Sequence, residues 1–189
     1  PTGVKFVNQP SAFDEEQINA KITPDEVEIT YNPKDGNKYD VLYVGTIDFR
    51  DISNTVNTFE FAVDEKLGAS VADKDIKQFT ATVDMSHMSR KVLREVPGKI
   101  VYLNMDDKYD YAIDFGGGGL NSIVLIGPEE SLDKITADDI QIEVNVSSLN
   151  LTRSGGQTLE VSNISIQSDV NDCWVYGKYT ANVTATQKQ

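Results

Sequence analysis

The chain has 189 residues, which is enough for one large domain or two small ones. It carries 30 acidic and 17 basic side chains and a formal net charge of −13. Because this balance leaves no basic surface to neutralise phosphates, we expect no nucleic-acid binding and no docking on anionic lipid. A single cysteine, Cys173, excludes an intrachain disulfide and a thiolate metal cluster.

The predicted elements are almost all strands. An apolar run at residues 4–7 comes first, and apolar and polar residues then alternate over 27–30, 59–63, 140–146 and 179–183. This period of two buries one strand face and leaves the other in solvent. Helical character is confined to short turns, predicted at residues 14–20, 131–135 and 136–139. The sequence therefore predicts a mostly all-β fold with short helical turns.

The sequence also repeats itself. At an offset of 96, residues 4–8 match 100–104, 13–14 match 109–110, and 26–29 match 122–125. At an offset of 100, residues 57–61 match 157–161 and 79–83 match 179–183. We place the four extra residues in a longer turn at 147–156. Ordered matches of this kind predict a tandem duplication, with modules at 1–88 and 89–189 joined by a short, stiff connection near residues 85–97.

Three segments of the second copy carry a family resemblance. Residues 122–129 (SIVLIGPE) form a strand followed by a Gly-Pro turn, 143–149 (EVNVSSL) follow later, and 175–183 (VYGKYTANV) close the copy. These segments resemble the YbbR-like domain, a bacterial module usually found in tandem. Asn145 stands where the family has an aspartate. The first copy keeps that acid as Asp48, but its residues 31–33 replace the Gly-Pro turn, so it matches less closely.

The resemblance implies an all-β, non-catalytic protein on the outer side of the bacterial membrane. Members of the family include the regulator of a membrane diadenylate cyclase, which makes cyclic di-AMP in many Gram-positive bacteria. A protein partner is thus implied, with that cyclase as the leading candidate. The chain opens on Pro1, and we expect its only attachment to the membrane to be an N-terminal anchor outside this sequence. The resemblance supplies no catalytic residue and no cofactor, and it leaves the oligomeric state open.

Groups that could carry chemistry are few. His87 is the only histidine and lies at the module junction, where a surface position is favoured over a catalytic one. Cys173, beside Trp174, fits a small buried apolar residue better than a reactive thiol. The acid pairs fall in turns, where solvation is favoured over metal binding. We therefore predict no enzyme, no metal and no cofactor. The acid pairs are 106–107, 129–130 and 138–139.

Two features remain as a candidate contact surface. The glycine tract at 116–119 lacks the Gly-Lys-Ser/Thr of a phosphate loop, and Gly117 and Gly118 lie at its centre. The tract aligns with residues 20–23 of the first copy. Trp174, Tyr176 and Tyr179 bring aromatic rings that could anchor a protein or stack on a sugar. Since Trp174 and Tyr176 share one strand face and Tyr179 takes the other, at least one set should be core.

Two functions follow for the chain. The first is a regulator or spacer that acts through protein contacts. The alternative is a carbohydrate or cell-wall binding module of a bacterial surface protein.

Overall fold

A computed structural model gives the fold and describes residues 1–13, 18–32, 34, 40–64, 67–94, 96, 99–114 and 119–189. The chain divides into two compact units, Pro1–Met88 and Ser89–Gln189, which are called module 1 and module 2 below. The all-β fold class is confirmed, since strands dominate the described residues of both units and the helices among those residues are single turns. Within the described residues, no helix is long and apolar enough to cross a membrane.

Module 1 contains seven strands in its described part, and they form three small sheets. A parallel pair joins β1 and β4, an antiparallel sheet has the order β2-β7-β5, and β3 pairs with β6. A short 3-10 turn, Phe49–Asp51, follows β4. The strands are β1 (Thr2–Val7), β2 (Ala20–Thr23), β3 (Ile29–Thr30), β4 (Leu42–Asp48), β5 (Val56–Ala62), β6 (Ser70–Val71) and β7 (Gln78–Asp84).

Module 2 repeats these three sheets and enlarges two of them. The sheets have the orders β14-β12-β9, β10-β16-β13 and β15-β11-β8. The described residues of module 2 also form one helical turn, α1 (Glu129–Leu132), and 3-10 turns at Gly119–Asn121 and Ala137–Asp139. The strands are β8 (Ser89–Arg94), β9 (Lys99–Leu103), β10 (Tyr109–Asp114), β11 (Ser122–Gly127), β12 (Ile140–Asn145), β13 (Gln157–Glu160), β14 (Asn163–Ile166), β15 (Trp174–Tyr176) and β16 (Thr180–Gln187).

The strand registers are equivalent in the two modules. Phe6 pairs with Ile47 in the parallel pair of module 1, and Tyr102 pairs with Val144 in that of module 2. In the antiparallel sheets, Phe59 lies opposite Ala81 as Leu159 lies opposite Ala181. Residues that face each other in one module thus have their counterparts facing each other in the second. Module 2 adds β8 beside β11 and β14 beside β12.

One part of the sequence alignment is wrong. Ala20 of β2 pairs with Val83, and Ile113 of β10 pairs with Val183, so Ala20 corresponds to Ile113. The glycine tract therefore follows the counterpart of β2 and does not align with residues 20–23. Both segments are short and their flanking loops differ in length, so the sequence offered few matches to fix the register. The predicted turn at 14–20 ends in strand at Ala20, and its residues 14–17 lie outside the described residues.

Each module buries its own apolar side chains. In module 1, residues from β7 and from the turn after β4 reach complete burial, namely Phe49, Ile52, Phe79 and Ala81. The core of module 2 is larger, because β11, β12 and the turn after α1 all contribute to it. Its fully buried members include Leu120, Ile123, Leu125, Ile135, Ile140, Ile142 and Val144.

Candidate contact surfaces

The end of the parallel strand pair carries the same hydrogen-bonded unit in both modules. Asn8 and Asn104 each follow the first strand of the pair with a φ of 57°, in the left-handed region that asparagine tolerates. The Asn8 Nδ2 donates to Asp48 Oδ1 at 3.0 Å, and Asn104 Nδ2 donates to Asn145 Oδ1 at 3.1 Å. Each acceptor also receives the backbone N–H two residues later, at 2.9 and 3.0 Å. The replacement of aspartate by Asn145 thus leaves the geometry unchanged.

Asp48 adds a charge to this unit. The guanidinium of Arg50 donates to Asp48 Oδ2 through Nη2 at 2.6 Å and Nε at 2.9 Å. Burial opposes ionisation of the carboxyl, but the hydrogen bonds from Arg50 and Asn8 outweigh it, so the pKa of Asp48 lies below its ordinary value. The carboxylate of Asp48 thus accepts hydrogen bonds both from Arg50 of its own turn and from Asn8 at the end of β1.

A second repeated unit closes the next turn. Asn57 Oδ1 accepts from Ser53 N at 2.9 Å and its Nδ2 donates to Ser53 O at 3.0 Å. Gln157 makes the same two bonds with the backbone of Asn150, at 3.0 and 2.9 Å. The bonded residues are four apart in module 1 and seven apart in module 2. Three of the four extra residues therefore lie between Asn150 and Gln157, inside the predicted turn.

The aromatic cluster of module 2 is mostly interior. Trp174 is only 4% exposed, so its ring belongs to the packing and presents no surface for a ligand. The Tyr179 hydroxyl donates to Tyr176 O at 2.8 Å and accepts from Val124 N at 3.0 Å, which ties the strand end together. Burial raises the pKa of the Tyr179 hydroxyl. Tyr176 is half-buried. Gly117 and Gly118, the remaining candidates, lie outside the described residues.

The residues weighed for chemistry, Cys173 and His87, can each be described in their own module. Cys173 is 7% exposed, and burial, helped by the Asp172 carboxylate, raises the pKa of its thiol to about 12. A thiol with that pKa stays protonated at neutral pH and is a poor nucleophile. His87 lies exposed in the turn after β7. Across the described ranges, no three His, Cys, Asp or Glu side chains converge in a way that could hold a metal ion.

Module 1 has an open surface groove that the sequence did not indicate. Its volume is about 460 Å³. Tyr43 is 43% exposed, and the ammonium of Lys5 lies 4.8 Å from the centre of its ring, within reach of a cation–π interaction. Because the lining comes from three separate strands and the segment after β5, no local pattern marks it. The lining residues are Lys5, Tyr43, Val44, Gly45, Thr46, Glu60, Phe61, Ala62, Asp64 and Leu67.

The floor of the groove differs from the matching part of module 2. A side chain at Gly45 would overlap the ring of Phe61, so the ring packs directly on the glycine backbone. In module 2 the equivalent positions hold Ile142 and Val161, both buried. One module therefore fills this place with two aliphatic side chains, and the other fills it with an aromatic ring that remains partly exposed.

Comparison with known proteins gives similarity at the level of structure. No protein-family model and no curated protein matches the sequence. The YbbR-like domain of the lmo2119 protein from Listeria monocytogenes is 20% identical, with a TM-score of 0.34 over 53% of this chain and 96% of its own. A YbbR-like protein from Streptococcus pneumoniae TIGR4 is 17% identical, with a TM-score of 0.32 over 76% of this chain and 69% of its own.

SuR18C from Streptococcus thermophilus, known from a solution structure, is 15% identical, with a TM-score of 0.31 over 54% of this chain and 88% of its own. Two of these three neighbours are named YbbR-like, the family that residues 122–129 and 175–183 resemble.

Proposed function

We propose that the protein is a non-catalytic tandem YbbR-like protein that acts through protein–protein contacts on the outer side of the bacterial membrane. The observation that carries this proposal is the difference between the two modules. They share the hydrogen-bond pattern of their turns, whereas the groove around Tyr43 uses residues that module 2 does not repeat. A shared scaffold with one distinct exposed surface fits a binding module.

The groove has the chemistry of a protein contact. Tyrosine is enriched in interfaces because it offers a large, rigid, amphipathic surface at a low entropy cost. Lys5 places a cation against one side of the Tyr43 ring, and Glu60 and Asp64 line the groove with acids. This mixture of an aromatic ring and both signs of charge suits a polypeptide surface with its own polar groups.

For the partner we propose a membrane diadenylate cyclase, with the protein held at the cell surface by an anchor outside this sequence. The support is the resemblance of residues 122–129, 143–149 and 175–183 to the family that includes such a regulator. The acidic net charge of −13 further favours a partner surface with basic residues.

The test compares two exposed tyrosines of module 1, Tyr43 and Tyr31, which are 43% and 46% exposed. The chain is tethered to the outer face of membranes that contain a diadenylate cyclase, and crosslinking and cyclic di-AMP production are measured. We expect the unchanged chain to crosslink to the cyclase and to alter its rate. Tyr43→Ser should weaken binding by about tenfold or more, as at an interface hot spot, and Tyr31→Ser should not.

Equal behaviour of the two variants would remove the groove from the proposal, and no crosslink with the unchanged chain would overturn the cyclase as partner. The carbohydrate alternative is tested with the same pair of variants by pelleting with peptidoglycan. Since Trp174 is buried, we expect no pelleting. Pelleting that Tyr43→Ser abolishes and Tyr31→Ser does not would replace the protein-contact function with cell-wall binding.

A further inference from the structure

One sheet edge that differs between the two modules is the edge of β3 and of its counterpart, β11. In module 2, β11 lies between two partners, β15 on one side and β8 on the other. Its counterpart in module 1 is β3, because Ile29 pairs with Val71 as Leu125 pairs with Val175. Within the part of module 1 that the structure describes, β3 pairs with β6 alone. Among the described residues of module 1, no strand takes the position that corresponds to β8, and this edge of β3 is open.

The backbone at this edge is oriented to accept a strand. The N–H of Ala72 donates to Glu28 O at 2.9 Å, so residue 28 directs its polar groups toward β6. Because successive residues of a strand alternate, the N–H and C=O of Ile29 point to the opposite edge. In module 2 the N–H of Val124 likewise points toward β15, where the Tyr179 hydroxyl accepts its hydrogen bond. By the same alternation, the N–H and C=O of Leu125 point toward β8. The edge of β3 that faces away from β6 thus presents the same pattern of backbone polar groups as the edge of β11 that pairs with β8.

Side-chain burial shows the same difference. Ile123 and Leu125 of β11 are completely buried. Their counterparts at an offset of 96, Val27 and Ile29, are only half-buried. Leu93 of β8 lies directly opposite Ile123 and is itself 7% exposed, so β8 brings an apolar side chain to this part of the core. A further strand beside β3 would remove the exposed apolar surface of Val27 and Ile29 from water, which is favourable.

The charges around the edge define the chemistry of its occupant. Module 1 has 16 acidic and 8 basic side chains, and Asp25, Glu26 and Glu28 are exposed at or next to β3. The strand that fills the equivalent place in module 2 is basic, with Arg90, Lys91 and Arg94 among its six residues.

We propose that the outer edge of β3 binds an extended, basic polypeptide segment as an antiparallel strand, in the way that β11 binds β8. This site is separate from the groove at Tyr43, and it extends the proposed function to a second surface. Main-chain hydrogen bonds would supply the affinity, and the acids beside β3 together with the apolar positions Val27 and Ile29 would select the sequence.

The first experiment supplies the occupant in tethered form. Residues 89–96 (SRKVLREV) are fused directly ahead of Pro1, which is equivalent in sequence to Pro97, and amide hydrogen exchange is measured by NMR on the full chain. We expect the exchange of the Ile29 amide to slow by about tenfold or more, because a tethered segment acts at millimolar effective concentration. Exchange at Phe79, which lies in the core of module 1, confirms that the module remains folded.

The matched control carries Leu93→Pro in the fused copy only, which removes a backbone donor to the ladder and should abolish the protection. A free SRKVLREV peptide should protect Ile29 at high concentration, and a version with glutamate at its three basic positions should not. Absence of protection in the fused chain, or equal protection by the proline control, would overturn the proposal. Protection of Ile29 in the unmodified chain that rises with protein concentration would assign the edge to a second copy instead, and would also overturn it.

Discussion

The two modules hold the same backbone with different side chains. In the turn after β4, Asp48 and Asn145 accept equivalent hydrogen bonds, although only one of them carries a charge. In the next turn, Asn57 and Gln157 clamp the backbone at equivalent points, although three residues have been added between the partners in module 2. The comparison indicates that bond topology is more strictly maintained than residue identity. The turns whose hydrogen bonds recur in both modules are therefore scaffold. Function should be sought at surfaces that only one module has.

The modules also differ in how fully their strands are covered. β11 and β12 of module 2 each have a neighbour on both sides, and their core-facing residues, such as Ile123, Leu125 and Ile142, are completely buried. In the described part of module 1, β3 and β4 each have one neighbour, and the surfaces proposed above lie beside them. Equivalent residues should then contribute unequally to stability, and this inequality can be measured.

The largest difference is expected between Leu125 and Ile29. Leu125→Ala removes a completely buried side chain and should lower the free energy of unfolding of module 2 by about 2–5 kcal/mol. Ile29→Ala removes a half-buried side chain and should cost module 1 about 1 kcal/mol. Urea unfolding, followed by NMR signals of each module, measures both values. Equal losses would contradict the view that the edge of β3 is uncovered.

The two amide clamps should differ by a smaller amount. Asn57 is 9% exposed, and its Nδ2 also donates to Thr55 O at 2.8 Å. Asn57→Ala would leave partly buried backbone groups of the turn without these partners and should lower the free energy of unfolding of module 1 by about 2 kcal/mol. Gln157 binds only an exposed turn, so Gln157→Ala should cost module 2 about 0.5–1 kcal/mol. Urea unfolding followed by NMR measures both values. A larger loss of unfolding free energy from Gln157→Ala than from Asn57→Ala would contradict this prediction.

Asp48 should make the stability of module 1 depend on pH in a way that Asn145 cannot. Because the folded state lowers the pKa of Asp48, its ionisation stabilises the module above the unfolded pKa of 3.8, and this contribution is lost as the pH falls through the folded value. Asp48→Asn should cost module 1 about 1 kcal/mol at pH 7, and the difference from the unchanged chain should shrink below about pH 4.

The control for that prediction is Asn145→Asp. Module 2 has Ser147 where module 1 has Arg50, so the new carboxylate would gain no guanidinium partner. Its introduction should not reproduce the pH dependence that Asp48→Asn removes. Unfolding curves of both variants are measured between pH 2 and 7, in steps of about one pH unit. An unchanged pH profile for Asp48→Asn would contradict the role assigned to Asp48.

The sequence predicted the fold class because alternation and turn residues are local signals. It also found the repeat at strands whose apolar positions match, such as residues 4–8 and 100–104. It failed at β2, where four residues between loops of unequal length gave too little pattern to fix the register. It also could not separate an exposed from a buried ring at Trp174, since burial depends on which strands lie over that face.

The candidate surfaces were less predictable than the scaffold. The groove depends on a cation from β1, a ring from β4 and a ring from β5, which meet only after the strands pair. The open edge of β3 depends on a comparison of strand neighbours. The sequence placed residues 89–94 in the connection between the modules, and it gave no sign of their pairing with β11. Contacts between distant segments are decided by topology, which residue patterns specify weakly.

The thiol of Cys173 offers a further test of the comparison, because it can be labelled without introducing a cysteine. It is the only cysteine, it packs within module 2, and burial raises its pKa to about 12. At pH 8 its alkylation by iodoacetamide should therefore be slower than that of the unfolded chain by about 100-fold or more, since the thiolate is the reacting species.

Leu125→Ala, which weakens module 2, should speed the reaction. Ile29→Ala and Asn57→Ala should leave the rate unchanged, because both side chains pack within module 1. If either of them accelerated labelling as much as Leu125→Ala does, the modules would open together, and the stability differences above would belong to the whole chain rather than to each module.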